Sequence, residues 1–186
     1  LIHDATDRDG EVDLVYPAAA VEPEDVARMR NDAGGLVCVA LSDTVCTVWE
    51  LPFRQEFIDH PTGADHDLGY DERSSFSLTV NHRDTFTGIT MVDAAGAIVA
   101  DADSFAEQFR SPGHVHLLRG APALLDDRKG HTELGLELAA AAGAPPAVAS
   151  PIGSRRGRAA AGPSRPVSSS PRPGSCPPAA SSSAAA

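Results

Sequence analysis

Lysine is almost missing from this chain of 186 residues: Lys129 stands alone beside 14 arginines. Acidic residues disappear toward the C-terminus. All 26 precede Pro151, together with ten of the 15 basic residues. Cysteine is scarce too. Cys38, Cys46 and Cys176 show no Cys-x-x-Cys spacing and make no even-numbered set, which argues against a zinc site or a disulfide scaffold and fits a reducing cytoplasm. No apolar run approaches the roughly 18 residues of a membrane span. No basic segment leads into an apolar stretch, as a signal peptide would require. The chain opens at Leu1-Ile2-His3 without a methionine, in what reads as the inside of a strand with a piece missing upstream.

The charge that is present is mostly negative, a formal −11 at neutral pH. Such a body repels nucleic acid and anionic membrane, so neither is an expected partner. An anionic substrate would need locally placed cations or a metal ion. Abundant acid and alanine with little lysine is the composition of a salt-adapted, GC-rich source. Apolar residues make up 42% of the chain, enough at this length for one domain with a real core.

Alternation over 11–16 predicts a strand closed by Pro17. Residues 22–33 predict a helix, with proline and acids early, arginines later and Gly34-Gly35 behind. The apolar run 36–41 predicts a buried strand, 43–50 a short helix and 53–73 a polar loop. Strands are expected at 75–80, 85–90 and 115–118, and helices at 102–109 and 133–142, the last ended by Gly143 and Pro145-Pro146. Together these give an α/β fold of the α+β type: a layered α/β/α domain with a mixed β-sheet flanked by helices, over residues 1–149. From Ser150 to Ala186 the text is mostly Ser, Pro, Ala, Arg and Gly, with Ile152 and Val167 the only aliphatic residues larger than alanine. That segment cannot offset an ordering entropy of about 1–2 kcal/mol per residue and is expected to be a disordered low-complexity tail.

Three clusters carry chemistry. In Asp7-Arg8-Asp9-Gly10-Glu11-Val12-Asp13, the acids Asp9, Glu11 and Asp13 alternate, so an extended backbone turns them to one face. Converging carboxylates ask for a cation, and hard oxygen donors favour magnesium or manganese. Read alone, such a stretch is more often a solvated acidic turn. In Arg128-Lys129-Gly130-His131-Thr132-Glu133, Thr132 is the expected N-cap of the following helix, whose free amides favour an anion. Arg128 and Lys129 add charge for a phosphate, and His131 could bind a metal. Read alone, it is also a capped helix with surface charges. In Phe109-Arg110-Ser111-Pro112-Gly113-His114-Val115, a Pro-Gly turn delivers His114 to a strand start. Histidine carries protons near neutral pH, though a histidine after a turn is often structural. Cys38 reads as core.

These stretches, with Met-Arg-Asn-Asp-Ala-Gly-Gly-Leu-Val-Cys (29–38) and Tyr-Asp-Glu-Arg-Ser-Ser-Phe-Ser-Leu-Thr-Val-Asn-His-Arg-Asp-Thr-Phe-Thr-Gly-Ile-Thr (70–90), resemble the 3,4-dihydroxy-2-butanone-4-phosphate synthase family, its archaeal form in particular. They occur in the family's order and cover most of residues 1–149. The resemblance implies a lyase of riboflavin biosynthesis that converts ribulose 5-phosphate to a four-carbon product plus formate. It further implies a cytoplasmic homodimer with sites near the subunit interface, using Mg2+ (or Mn2+) and no organic cofactor. It assigns His114, Asp13 and Glu11 to catalysis. It assigns Arg8, Asp9, Asp13, Arg128, Lys129, Gly130, His131 and Thr132 to the substrate, and Asp9 and His131 to the metal.

The chain departs from that pattern in four places. Asp9 stands where the family has Glu. Met91-Val92-Asp93 follows Thr90 where the family has an Asp-Arg pair. The family's leading helix is missing. After Ala149 the family's strand with a Cys-Glu pair, whose glutamate is catalytic, and its closing helices are not legible. Residues 150–186 read instead like a frameshift product. Two alternatives follow: a noncatalytic homologue that binds metal or sugar phosphate or pairs with an intact subunit, and, on the acidic cluster alone, an unrelated magnesium-dependent phosphate-ester hydrolase.

Overall fold

The computed structural model describes residues 1–3, 12–63, 73–85 and 101–152. Its elements in order are β1 (Ile2–His3), β2 (Val12–Asp13), β3 (Tyr16–Pro17), α1 (Pro23–Arg28), β4 (Leu36–Leu41), α2 (Asp43–Val48), α3 (Arg54–Phe57), β5 (Phe76–His82), α4 (Ala102–Gln108), β6 (Phe109–Arg119), α5 (His131–Ala141) and β7 (Ala147–Ile152). β1 and β2 form an antiparallel pair, Ile2 opposite Asp13. The other five strands make a mixed sheet in the order β3-β7-β4-β6-β5. Only β4 and β6 run parallel, Cys38 beside His116. The expected layered fold with a mixed sheet is the observed one.

Period-two alternation sorts the sheet's side chains into two cores. Val37, Val39, Leu41, Val115, Leu117, Ala147 and Ala149 turn to one face, against Met29, Cys46, Trp49, Phe105 and Phe109. Cys38, Ala40, Leu118 and Val148 turn to the other, against Leu136 and Ala139 of α5. Trp49, Phe105 and Phe109 stack in series, with centroids 4.9 and 4.8 Å apart.

Several elements differ from expectation. The 11–16 strand is two short pieces, because the chain leaves β1 after Asp13 and joins β7 at Tyr16. The predicted 22–33 helix is α only to Arg28 and continues as a π-helical turn, Met29–Ala33. The polar stretch 53–73 holds α3, where the Glu56 carboxylate accepts the Phe53 N–H at 3.0 Å, and a 3-10 turn at Pro61–Gly63. The expected 85–90 strand lies outside the described residues after Thr85. β6 begins at Phe109 rather than Val115, because the Pro-Gly pair makes a bulge and not a turn. Val80 pairs with Val115 and Asn81 with Arg110, so β5 has no partner for Ser111–His114. Gly113 lies so close to the β5 backbone at Val80–Asn81 that a Cβ there would clash.

The largest correction is β7. The sheet continues through Ser150, Pro151 and Ile152, past the expected boundary at Ala149, with Val37 opposite Pro151 and Leu36 opposite Ile152. Ser-Pro looks like a breaker. β3 pairs only with Val148 and Ala149, however, so beyond them β7 has one neighbour and a missing N–H is tolerated. A closing strand is therefore present. Its sequence, Ala-Val-Ala-Ser-Pro-Ile, contains no Cys-Glu pair.

Candidate active site

Asp13 ends β2 and is buried, with 3% of its surface exposed. Its partner in β1 is Ile2, and β2 touches β7. The Asp13 Oδ2 lies 3.8 Å from Nδ1 of His131, the first residue of α5. Two of the expected site residues, far apart in sequence, are thus brought together. The thiol of Cys38 is pushed up to about 12, chiefly by burial and further by the negative charge of Asp13. That is the electrostatic mark of an acid set against the sheet.

The start of α5 is built differently from expectation. Gly130, not Thr132, is the N-cap, and its side of the turn has no side-chain cap. Glu133, fully buried, stands beneath the turn. One of its oxygens accepts the Ala121 N–H at 3.2 Å, and Arg128 Nη1 lies 3.3 Å from both. Arg128 also donates to Ser75 Oγ at 2.7 Å. A Cβ on Gly130 would lie 3.0 Å from the Glu133 carboxylate, which explains glycine there. Sequence reading missed Glu133. Its signal was an acid at the third helical position after a basic turn.

Arg128 and Glu133 also line a cleft of about 840 Å³, with Arg73, Arg119, Phe53 and Ser75 among its walls. The Arg73 guanidinium carbon sits 3.6 Å from the Phe53 ring centre and that of Arg119 4.5 Å. Arg119 donates to the Leu51 carbonyl at 2.7 Å and to Asp43 at 2.8 Å. Lys129 is exposed, and Gly130 and Thr132 are half-buried.

His114 is not part of this group. Its N–H donates to Asn81 Oδ1 at 2.9 Å, and its Nδ1 lies 3.0 Å from Asn81 Nδ2. Nδ1 also lies 3.2 Å from Asn81 Oδ1, so Asn81 holds the ring of this exposed residue by its Nδ1 edge. Asn81 belongs to β5, three inter-strand steps of about 4.8 Å from β7, beside which Asp13 sits. Arg8, Asp9 and Glu11 lie outside the described residues.

No cluster of three or more candidate metal ligands occurs among the described residues. A carboxylate oxygen and an imidazole nitrogen that converge, as Asp13 and His131 do, are nevertheless donors suited to a divalent cation. Among the described residues no helix is long and apolar enough to cross a membrane.

The profile of the 3,4-dihydroxy-2-butanone 4-phosphate synthase family matches residues 1–165. The synthase of that name from Archaeoglobus fulgidus is 46% identical over 170 residues, covering 80% of this chain and 71% of the relative. That from Methanosarcina mazei is 45% identical, covering 79% of this chain and 68% of the relative. A solved synthase in complex with two magnesium ions superposes with a TM-score of 0.62 at 30% identity, over 80% of this chain and 66% of that one. A two-domain synthase from A. baumannii superposes at 0.64 and 32% identity, over 80% of this chain and 41% of that one.

Proposed function

From the premise that the chain belongs to the 3,4-dihydroxy-2-butanone 4-phosphate synthase family, we propose that it converts D-ribulose 5-phosphate to 3,4-dihydroxy-2-butanone 4-phosphate and formate, a step of riboflavin biosynthesis. The observation that carries this reading is Asp13 set against His131 at the head of α5, directly after Arg128 and Lys129. The reaction splits a five-carbon sugar phosphate into a four-carbon and a one-carbon product with no net change in atoms, so no co-substrate is needed. The protein must bind a phosphate, steady negative charge on sugar oxygens and move protons.

The residues present fit those tasks. The turn 128–132, with its two cations at the head of α5, suits the phosphate end. The Asp13 carboxylate, shielded from water, accepts a sugar hydroxyl or its proton. His114, with Nδ1 engaged by Asn81, leaves Nε2 to carry a proton to or from the substrate. By the family resemblance, Asp9 and Glu11 would add to the acidic set and Arg8 would meet the substrate. His131 and Asp9 hold magnesium or manganese, which when bound supplies Lewis-acid stabilisation of charge on substrate oxygens. A cytoplasmic homodimer brings a second copy's His114 to the site, which suits the distance between β5 and β2 within one chain. The test is formate release from ribulose 5-phosphate with magnesium, repeated with EDTA. Metal-dependent formate supports the synthase; none from folded protein rejects it.

One observation favours a second reading. β7 carries no acid. A homologue without the family's glutamate would bind metal and sugar phosphate without turnover, and binding with no formate is its signature.

A further inference from the structure

Two carboxylates among the described residues are buried beside α5: Asp13, and Glu133, which is 0% exposed. The role of Asp13 follows from its position against His131. Glu133 borders the cleft beside Arg128 but exposes no surface of its own, and a fully buried carboxylate is costly unless it is paired and hydrogen-bonded. Its partners show what the pairing holds. Arg128 enters from the substrate turn, Nη1 at 3.3 Å from each oxygen. The Ala121 N–H enters from the chain leaving β6, at 3.2 Å. Gly130 packs against the carboxylate, where an added Cβ would make a tight 3.0 Å contact with one oxygen. One side chain therefore ties the exit of β6, the first residue of the turn and the first turn of the helix into one unit. His131 lies within that unit, and its imidazole faces Asp13.

We propose that Glu133 is the positioning residue of the substrate turn: its buried carboxylate fixes Arg128 and the backbone of 128–132 so that His131 is held opposite Asp13. Both Glu133 oxygens are turned to Arg128, and Glu133 acts through it. Arg128 consequently has two duties, structural on its Glu133 side and ligand-binding toward the arginine-lined cleft. This inference rests on the functional reading above only for what the turn binds.

The test compares wild type with Glu133→Gln, which keeps size and loses charge. Amide hydrogen exchange is followed without ligand, and Mn2+ affinity is measured by calorimetry. The expected result is a loss of protection of roughly tenfold or more at residues 128–134, unchanged protection in β4 and β6, and Mn2+ binding weakened by about tenfold. Unchanged protection of the turn, or an equal loss throughout the sheet, overturns the proposal. If Glu133→Gln does not fold, Arg128→Gln decides: weaker Mn2+ binding with a loosened turn supports positioning, and weaker binding of inorganic phosphate alone overturns it. A wild type that binds neither Mn2+ nor ribulose 5-phosphate rejects the functional reading, while the exchange data still decide whether Glu133 holds the turn.

Discussion

Arg119, at the end of β6, reaches Asp43, at the start of α2, at 2.8 Å, and joins two segments 76 residues apart in sequence. The same guanidinium donates to the Leu51 carbonyl and lies over Phe53. It is mostly buried, so its loss leaves Asp43 and a carbonyl short of a partner. Arg119→Met is expected to lower stability by about 2 kcal/mol. Urea unfolding checks this, and a loss below about 0.5 kcal/mol would show the pair to be a surface ornament.

Asp13→Asn removes a negative charge and keeps the shape. Formate release is expected to fall by roughly 100-fold or more, with Mn2+ binding weakened by about tenfold or more. Circular dichroism should remain that of the wild type. Undiminished formate release from Asp13→Asn would take Asp13 out of the chemistry.

His114→Gln addresses the proposed proton carrier. Turnover is expected to drop by roughly 100-fold or more while Mn2+ affinity stays unchanged, because the imidazole bonds to Asn81 and not to Asp13 or His131. Mixing His114→Gln with Asp13→Asn protein adds a sharper measurement. Partial recovery of formate release indicates that one copy's His114 serves the other's Asp13; no recovery argues for sites made within single chains.

Burial, reinforced by the nearby charge of Arg54, holds the His116 imidazole below its ordinary value of 6.5. The unfolded chain therefore takes up this proton at higher pH than the folded one. Stability is unaffected well above 6.5 and declines as pH falls through that value, until the folded protein is protonated too. His116→Phe is expected to flatten this part of the profile. Melting temperatures between about pH 5 and pH 8 check it, and parallel curves for the two proteins would refute it.

Cys38 and Cys46 are fully buried thiols, each pushed up to about 12 mainly by desolvation. Iodoacetamide should leave both unmodified in native protein and label both in urea, as read by peptide mass. Fast labelling of Cys38 in the native state would mean that the sheet beneath α5 opens readily.

Much of the fold was legible because alternation and helix punctuation are local signals. The apolar run at 36–41 is β4 with no change of bounds. The helix ended by Gly143 is α5. What failed was set by neighbours distant in sequence. Pro112-Gly113 has turn chemistry, yet β5 runs alongside and makes it a bulge. Ser150-Pro151 has breaker chemistry, yet β4 supplies a ladder that carries the chain to Ile152. At the site, residue types announced Asp13 and His131, and only the fold could place one against the other. Glu133 was hidden among many acids, since burial cannot be read from an acidic letter.

The position of β7 bears on how the molecule comes into being. It is the last strand described, yet it lies between β3 and β4 rather than at a margin. On a ribosome, β4 would emerge more than a hundred residues before the strand that covers its flank. Throughout that interval the nascent chain presents an unmatched apolar ribbon, Leu36–Leu41, to any other chain within reach. Completion of the sheet is therefore a late event in synthesis. Errors in the codons around residue 150 would be paid in aggregation before they could be felt in catalysis.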